Sequence, residues 1–443
     1  MIRNHTRGIL IAVLALSVIL RIGAALYIGN TVTDLPGTAD QISYHTLALR
    51  VLGGHGFTFG KTWWPATAAN APTAHWSYLY TAYLIAVYAL FGPNPLAARL
   101  IQALLVGIAQ PLLVYAIGRR VFSREVGLVS ALLTAVYAYF VYYAATLMTE
   151  SFYITAILAS FLIAIKLAVP APEAGRSTQE SHRSRILLAL GLGGALAAAI
   201  LLRQLFLLFV PFLFLWMLLG GRKMILPISL AVAVIAVVIL PFTAFNYARF
   251  HRFVLLNTNA GFAFFWGNNP IYGTHFQSIL PSAEYSRLIP EELKTLDEAA
   301  LDQALLRRGI GFVLEDPGRY VLLSLSRIGP YFKFWPSSDS EPVSNLSRVL
   351  SFGIFWPFMV LGLWLAVARR HLRLTLRPPD PLVLLYAFIV IYSLIHILTW
   401  TLIRYRLPVD AILVIFAGVT FVHLAERVPS LRRWLGLEAT AGS

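Results

Sequence analysis

Ten apolar stretches follow one another along the chain, at 8–28, 97–118, 126–147, 151–169, 186–202, 205–219, 224–243, 349–368, 381–400 and 408–424. Each approaches the roughly 20 apolar residues that cross a bilayer as a helix. Such runs, with so few charges between them, read as membrane-spanning helices. The expected fold class is an all-α polytopic membrane protein with about ten transmembrane helices. Charge agrees: charged residues are 12% of the chain and hydrophobic ones 58%, where soluble domains carry about a quarter charged residues.

The net charge of +15 invites a nucleic-acid reading, but the basic residues sit in short joints between spans. They are Arg119, Arg120 and Arg124; Arg176, Arg183 and Arg185; Arg222 with Lys223; Arg369, Arg370, Arg373 and Arg377; and Arg427, Arg432 and Arg433. Short basic loops mark the cytoplasmic side, so a cytoplasmic N-terminus in a plasma (inner) membrane is expected, with no nucleic-acid partner. The first apolar run follows Arg3 and Arg7 but exceeds a signal-peptide core and lacks a small-residue cleavage site, so it reads as a retained span. The stretch 76–91 is apolar enough to cross, yet counting it would turn Arg119–Arg124 outward. It reads as a juxtamembrane or re-entrant helix. The absence of cysteine excludes disulfides, thiolate metal sites and cysteine nucleophiles.

This threading divides the chain into an N-terminal membrane catalytic module at 1–243 with a first outer loop at 29–96, an outer loop at 244–346, and C-terminal membrane helices with a short cytoplasmic tail at 347–443. In the first loop, 40–52 places Tyr44, Leu47, Ala48 and Val51 on one helical face and ends at Gly53-Gly54, a pattern for a helix lying flat on the membrane. Trp63, Trp64 and Trp76 suit the interfacial aromatic belt. In the larger loop, Asn- and Gly-rich 255–273 suggests turns and short strands, and a helix is expected at about 297–314, broken at Pro317-Gly318.

Two carboxylates fall on the outer side. Asp40 begins the surface helix, where an acid can cap free N–H groups or act as a general base at the lipid–water boundary. Glu150 directly precedes an apolar run, where it can favour the helix dipole, position an acceptor or hold a divalent ion. Arg203 lies outside with no acid near it in sequence, and Arg404 and Arg406 land there too. Such arginines can snorkel to headgroups or clamp a lipid phosphate bidentately. Arg21, in the outer half of the first span, can join them or pair with an acid. His396 reads as a packed core histidine. No Asp-x-Asp pair exists, and Asp339-Ser340-Glu341 is the nearest imitation, so a divalent cofactor stays open.

The ordered set Asp40-Gln41-Ile42-Ser43-Tyr44, Gly54-His55-Gly56-Phe57, Ala98-Arg99-Leu100, Gly118-Arg119-Arg120-Val121-Phe122, Met148-Thr149-Glu150, Leu202-Arg203, Gly267-Asn268-Asn269-Pro270 and Arg404-Tyr405-Arg406-Leu407-Pro408 resembles the GT-C glycosyltransferases. It is closest in pattern to the family 39 branch of protein O-mannosyltransferases and aminoarabinose transferases. The resemblance implies a GT-C fold and an exchange at the outer membrane face, in which a polyprenyl-phosphate sugar gives its sugar to a lipid, glycan or protein acceptor with inversion. It makes Asp40 the catalytic base, Glu150 the second active-site acid, and Arg203 and Arg404 phosphate contacts, with Tyr44 and Tyr405 beside them in the substrate site. Gln41 stands where the mannosyltransferases carry a second acid, and Arg203 where the aminoarabinose transferases carry lysine. The rival class is a membrane transporter or flippase of lipid-linked sugars, which would be expected to show inverted repeats and midplane charges. No repeat is visible here.

Overall fold

A computed structural model describes residues 2–169, 182–277, 280, 282–338, 340–369 and 379–428. Arg176, Arg370, Arg373, Arg377, Arg432, Arg433 and Asp339 lie outside the described residues. The helices are α1 (Ile2–Ile28), α2 (Asp40–Leu52), α3 (Tyr78–Phe91), α4 (Pro95–Val121), α5 (Arg124–Val136), α6 (Ala138–Ala144), α7 (Glu150–Ala168), α8 (His182–Leu202), α9 (Val210–Leu218), α10 (Ile225–Phe250), α11 (Ala260–Gly267), α12 (Ser282–Leu288), α13 (Glu298–Glu315), α14 (Pro317–Ser326), α15 (Ile328–Tyr331), α16 (Pro342–Arg348), α17 (Ile354–Arg369), α18 (Pro381–Leu398) and α19 (Leu407–Ala425). Among the described residues only isolated β-bridges occur, and 255–273 forms α11 and a 3₁₀ turn at Pro270–Tyr272 rather than strands.

Among the described residues eight helices are long and apolar enough to cross a membrane, and α5 with α6, bent by 57° at Tyr137, would make a ninth. The expected span at 205–219 differs. It is a 3₁₀ turn at Gln204–Leu208 running into α9, and its 15 residues reach about 22 Å against a hydrocarbon core of about 30 Å. The stretch 76–91 becomes α3, 14 residues long and short of a span.

Local chemistry sets the helix ends. Asn94 accepts from the Ala97 N–H at 3.0 Å ahead of Pro95, Ser123 accepts from Val126 at 3.2 Å, and Asp297 accepts from Ala300 at 2.8 Å, all satisfying first-turn donors. The bundle then closes by helix pairing: α4 with α5 and α1, α7 and α10 with α8, and α17 with α19. Helix α19 is buried along most of its length. Its contact with α17 depends on Gly362, where an added Cβ would overlap the Phe416 carbonyl. Backbone cannot move aside as a flexible side chain can, and overpacked cores lose about 1–3 kcal/mol. Gly362→Leu is therefore expected to lower the thermal aggregation midpoint in detergent more than Gly8→Leu, whose Cβ would meet open space.

Around this bundle the 29–96 and 244–346 segments pack on each other. Tyr44, Leu47 and Ala48 of α2 are buried against protein, with Tyr44 edge-on to Trp76 at 5.5 Å and to Tyr80 at 4.9 Å. The apolar face of α2 thus meets α3 instead of lipid. The tryptophans do the same: Trp63 stacks on Phe59 at 4.6 Å and donates to Ser43 at 2.9 Å, while Trp64 stacks on Trp266 at 5.0 Å. They join loop segments.

Candidate functional site

Four segments meet at the end of the bundle where α1 leads into α2, α6 into α7, α8 into α9 and α18 into α19. Each contributes one charged side chain. Asp40 is the first residue of α2, and no side chain caps that helix. Its Oδ2 instead forms an ion pair with Nη2 of Arg404 at 2.8 Å, across 364 positions of chain. Glu150 opens α7, also without a side-chain cap, and Arg203 donates from Nη2 to its Oε1. The Arg404 Nε stands 3.7 Å from the same oxygen. One carboxylate is thus shared by two guanidinium groups, and one of those reaches on to Asp40.

Exposure grades the four. Glu150 is 2% exposed, Arg404 13%, Arg203 18% and Asp40 29%, so Asp40 is the member open to an incoming molecule and Glu150 the buried anchor. The Glu150 Oε2 has no hydrogen-bond partner. Burial alone would lower the Arg203 pKa, but the Glu150 carboxylate outweighs it and holds the guanidinium above its usual value. Beneath both arginines lies the Tyr405 ring, 5.0 Å from the Arg203 guanidinium carbon and 5.5 Å from that of Arg404. Tyr153 lies 5.7 Å from Arg203, within the range where a ring face attracts a cation. Arg203 also donates to Thr149 at 3.3 Å and Arg404 to the Gly37 carbonyl at 3.1 Å.

Tyr44 sits beneath Asp40. Its hydroxyl accepts from the Ser77 N–H at 3.5 Å, and burial, then the Asp40 carboxylate, pushes the phenol up, so it stays protonated. The six candidate residues from the sequence therefore fall in one region, but Arg203, expected to stand without an acidic neighbour, has Glu150.

Two expected members lie elsewhere. Arg21 is fully buried and donates to Ser17, to the Ala135 carbonyl at 3.1 Å and to the Thr134 carbonyl at 3.1 Å, tying α1 to α5. Arg406 is buried too, held by Asp410 at 2.9 Å and the Tyr331 carbonyl at 2.5 Å, with Asp410 also accepting from Tyr137 at 2.7 Å. Only Tyr405 separates Arg404 from Arg406, and the two arginines face different partners. His396 is buried as expected, stacked on Tyr405 at 4.9 Å with Nδ1 3.4 Å from the Trp400 carbonyl.

Sequence reasoning missed the acids that join the two large loops. Glu298 of α13 is buried, accepting from Thr67 at 2.5 Å, Thr258 at 2.5 Å and the Ala74 N–H at 2.8 Å. Next to it His75 donates from Nδ1 to the Thr258 carbonyl at 2.8 Å; burial lowers its pKa, against the raising fields of Glu298 and Asp40. One turn on from Glu298, Asp302 accepts from Gly261 at 2.8 Å and Phe262 at 3.2 Å, and burial pushes its carboxyl up to about 7. A folded-state pKa above the ordinary 3.8 means the contribution is complete below that value and lost as pH rises through about 7. Amide-exchange protection at Gly261 and Phe262 is expected to fall over that window, and Asp302→Asn, which keeps the acceptor without titrating, to flatten it.

Among the described residues no group of three His, Asp or Glu side chains is placed to hold a metal ion. Between Asp40 and Glu150 stands the Arg404 guanidinium, so these two carboxylates do not fit a divalent cation.

Residues 72–245 match the family model for dolichyl-phosphate-mannose-protein mannosyltransferase. No curated protein matches the chain. Among solved structures, it is similar to the archaeal oligosaccharyltransferase AglB from Archaeoglobus fulgidus in complex with an inhibitory peptide and a dolichol-phosphate, at 17% identity and TM-score 0.62, covering 99% of this chain and 52% of that one. The apo form of the A. fulgidus oligosaccharyltransferase matches at 16% identity and TM-score 0.63, again over 99% and 52%. ArnT from Cupriavidus metallidurans bound to undecaprenyl phosphate matches at 14% identity and TM-score 0.42, over 98% and 81%. The chain thus spans about half the length of the archaeal oligosaccharyltransferase, 52% of it.

Proposed function

We propose that this chain, which has the GT-C fold, is an integral membrane glycosyltransferase that moves a sugar from a polyprenyl-phosphate donor to a lipid, glycan or protein acceptor at the outer face of the membrane. The observation that carries this reading is the Asp40–Arg404–Glu150–Arg203 chain of charge, which sets a half-open carboxylate beside a pair of guanidinium groups. The family match over 72–245 supports a lipid-linked donor, as does the dolichol-phosphate in the archaeal complex. The outward orientation rests on Arg119, Arg120, Arg124, Arg222 and Lys223, which sit at the opposite ends of α4, α5 and α10.

In this reaction an acceptor hydroxyl or amine gives its proton to Asp40 as its lone pair attacks the anomeric carbon. The bond from that carbon to the phosphate oxygen breaks, its electrons stay on the phosphate, and polyprenyl phosphate leaves. Arg203 and Arg404 offset the charge gathering on the phosphate, as guanidinium groups do at oxyanions. A phosphate is a good leaving group, so one base and two cations suffice. Glu150 holds both arginines side by side, and Tyr405 supports them from below.

The test is release of free polyprenyl phosphate from a panel of polyprenyl-phosphate sugars, with the protein in nanodiscs and cell-envelope lipids supplied as acceptors. Release that disappears in Asp40→Asn is expected, and donors that neither bind nor turn over would sink the reading. Arg203→Ala is expected to weaken binding of polyprenyl phosphate by about tenfold or more, since a charge-assisted hydrogen bond contributes about 1.5–3 kcal/mol. Unchanged lipid affinity would remove Arg203 from the phosphate site.

A further inference from the structure

Helix α14 has two faces of different kind. Leu323 and Ser324 are buried, as is Arg327 just beyond its end. The opposite face presents Val321, Leu322 and Leu325, which are 53%, 54% and 56% exposed, and Ile328, the first residue of α15 and 41% exposed, continues it. Their spacing is one continuous stripe on a helix. It belongs to no helix long enough to cross a membrane, and an apolar stripe of this kind in water marks a contact surface.

The hydrogen bonds of α14 fix its height. The Tyr320 hydroxyl donates to the Leu398 carbonyl at 3.1 Å, and Arg327 donates from Nη1 to the Ile397 carbonyl at 3.0 Å. These are the last carbonyls of α18, which is long and apolar enough to span, and last-turn carbonyls have no partner within their own helix. α14 therefore lies at the level where α18 leaves the hydrocarbon, the depth at which amphipathic helices rest with their apolar side among the acyl chains.

We propose that α14 is an interfacial arm, and that the Val321, Leu322, Leu325 and Ile328 stripe lies in the boundary between lipid headgroups and acyl chains. The occupant of this face is the bilayer surface, in continuity with the lipid that surrounds α18. The inference needs only that the long helices span a membrane, and stands apart from the sugar-transfer reading. It also gives a role to Gly267-Asn268-Asn269-Pro270. Arg327 donates to the Gly267 carbonyl and to the Asn268 side chain at 2.9 Å, and Gly267 lies so close to the Thr399 carbonyl that a Cβ would overlap it. The arm is thereby fastened to the turn that leads into Arg404 and Tyr405, and sets the depth at which those residues meet lipid.

The cysteine-free chain makes the test direct. Leu322→Cys and, separately, Leu325→Cys would be labelled with an environment-sensitive fluorophore in phosphatidylcholine–phosphatidylglycerol nanodiscs. Exposed Glu292→Cys serves as the aqueous control. Emission from 322 and 325 is expected to shift to the blue of the control and to be lost when lipids carrying a nitroxide near the headgroup are included. Emission matching the control at both positions would overturn the proposal. So would a blue shift that nitroxide lipids leave undiminished, because that outcome assigns the stripe to a second protein surface.

Discussion

Asp40→Asn is expected to lower the rate of sugar transfer by about 10²–10⁴-fold, the usual contribution of a positioned general base, while donor binding and the folded state persist. Asparagine keeps the size of the side chain and an oxygen for Arg404, so the 2.8 Å contact weakens without leaving a cavity. The contact also implies an order of events. Asp40 is tied to Arg404 before substrate arrives, so an acceptor meets a carboxylate already held in an ion pair. A lipid phosphate that draws Arg404 toward itself would release the Asp40 carboxylate to the acceptor. Stopped-flow measurement should therefore find the acceptor productive only after the donor is bound. Turnover of purified Asp40→Asn within a few-fold of the parent would remove Asp40 as the base.

Glu150→Gln is expected to have the largest effect on stability of any conservative change at the site. The carboxylate is buried and its Oε1 faces both Arg203 and Arg404. Removing one partner of a buried ion pair costs about 3–5 kcal/mol, because the remaining charge has lost its compensation. The partial exposure of the two arginines places the expected loss at the lower end, on the order of 3 kcal/mol. The double variant Glu150→Gln, Arg203→Gln should recover part of it, and a double-mutant cycle on thermal aggregation midpoints measures the coupling. Additive losses would show that the pair carries no interaction energy.

How far the sequence could be read depended on whether the signal was local. Helix α2 runs from Asp40 to Leu52 and α13 from Glu298 to Glu315, close to the expected 40–52 and 297–314, because caps, glycines and apolar spacing act over a few residues. The site acids were visible because a carboxylate at the end of an apolar run is rare. Pairing was not visible: 53 positions separate Glu150 from Arg203, and nothing in the spacing of Arg404 and Arg406 says that one turns to Asp40 and the other to Asp410. The expected strands at 255–273 failed for a related reason. Asn259 makes no side-chain cap for α11, and the N–H groups of Gly261 and Phe262 are satisfied by Asp302, 41 and 40 residues on. Trp63 and Trp64 looked suited to lipid headgroups but found Phe59 and Trp266, and an aromatic side chain alone does not reveal whether lipid or protein will cover it.

The sharing of Glu150 between two arginines bears on what would leave the proposed site. Asp40, Glu150, Arg203 and Arg404 sum to no net charge, so the resting site attracts an anion only by rearranging its own ion pairs. A donor phosphodiester brings one negative charge, whereas the polyprenyl phosphate left after transfer carries about 1.5–2 at neutral pH, as other phosphate monoesters do. In the proposed reaction the spent lipid would therefore be the better competitor for the guanidinium groups, and a protonated Asp40 would lose its own hold on Arg404. Under the proposed transfer, this charge count leads us to expect product inhibition, measured as slower turnover when free polyprenyl phosphate is added.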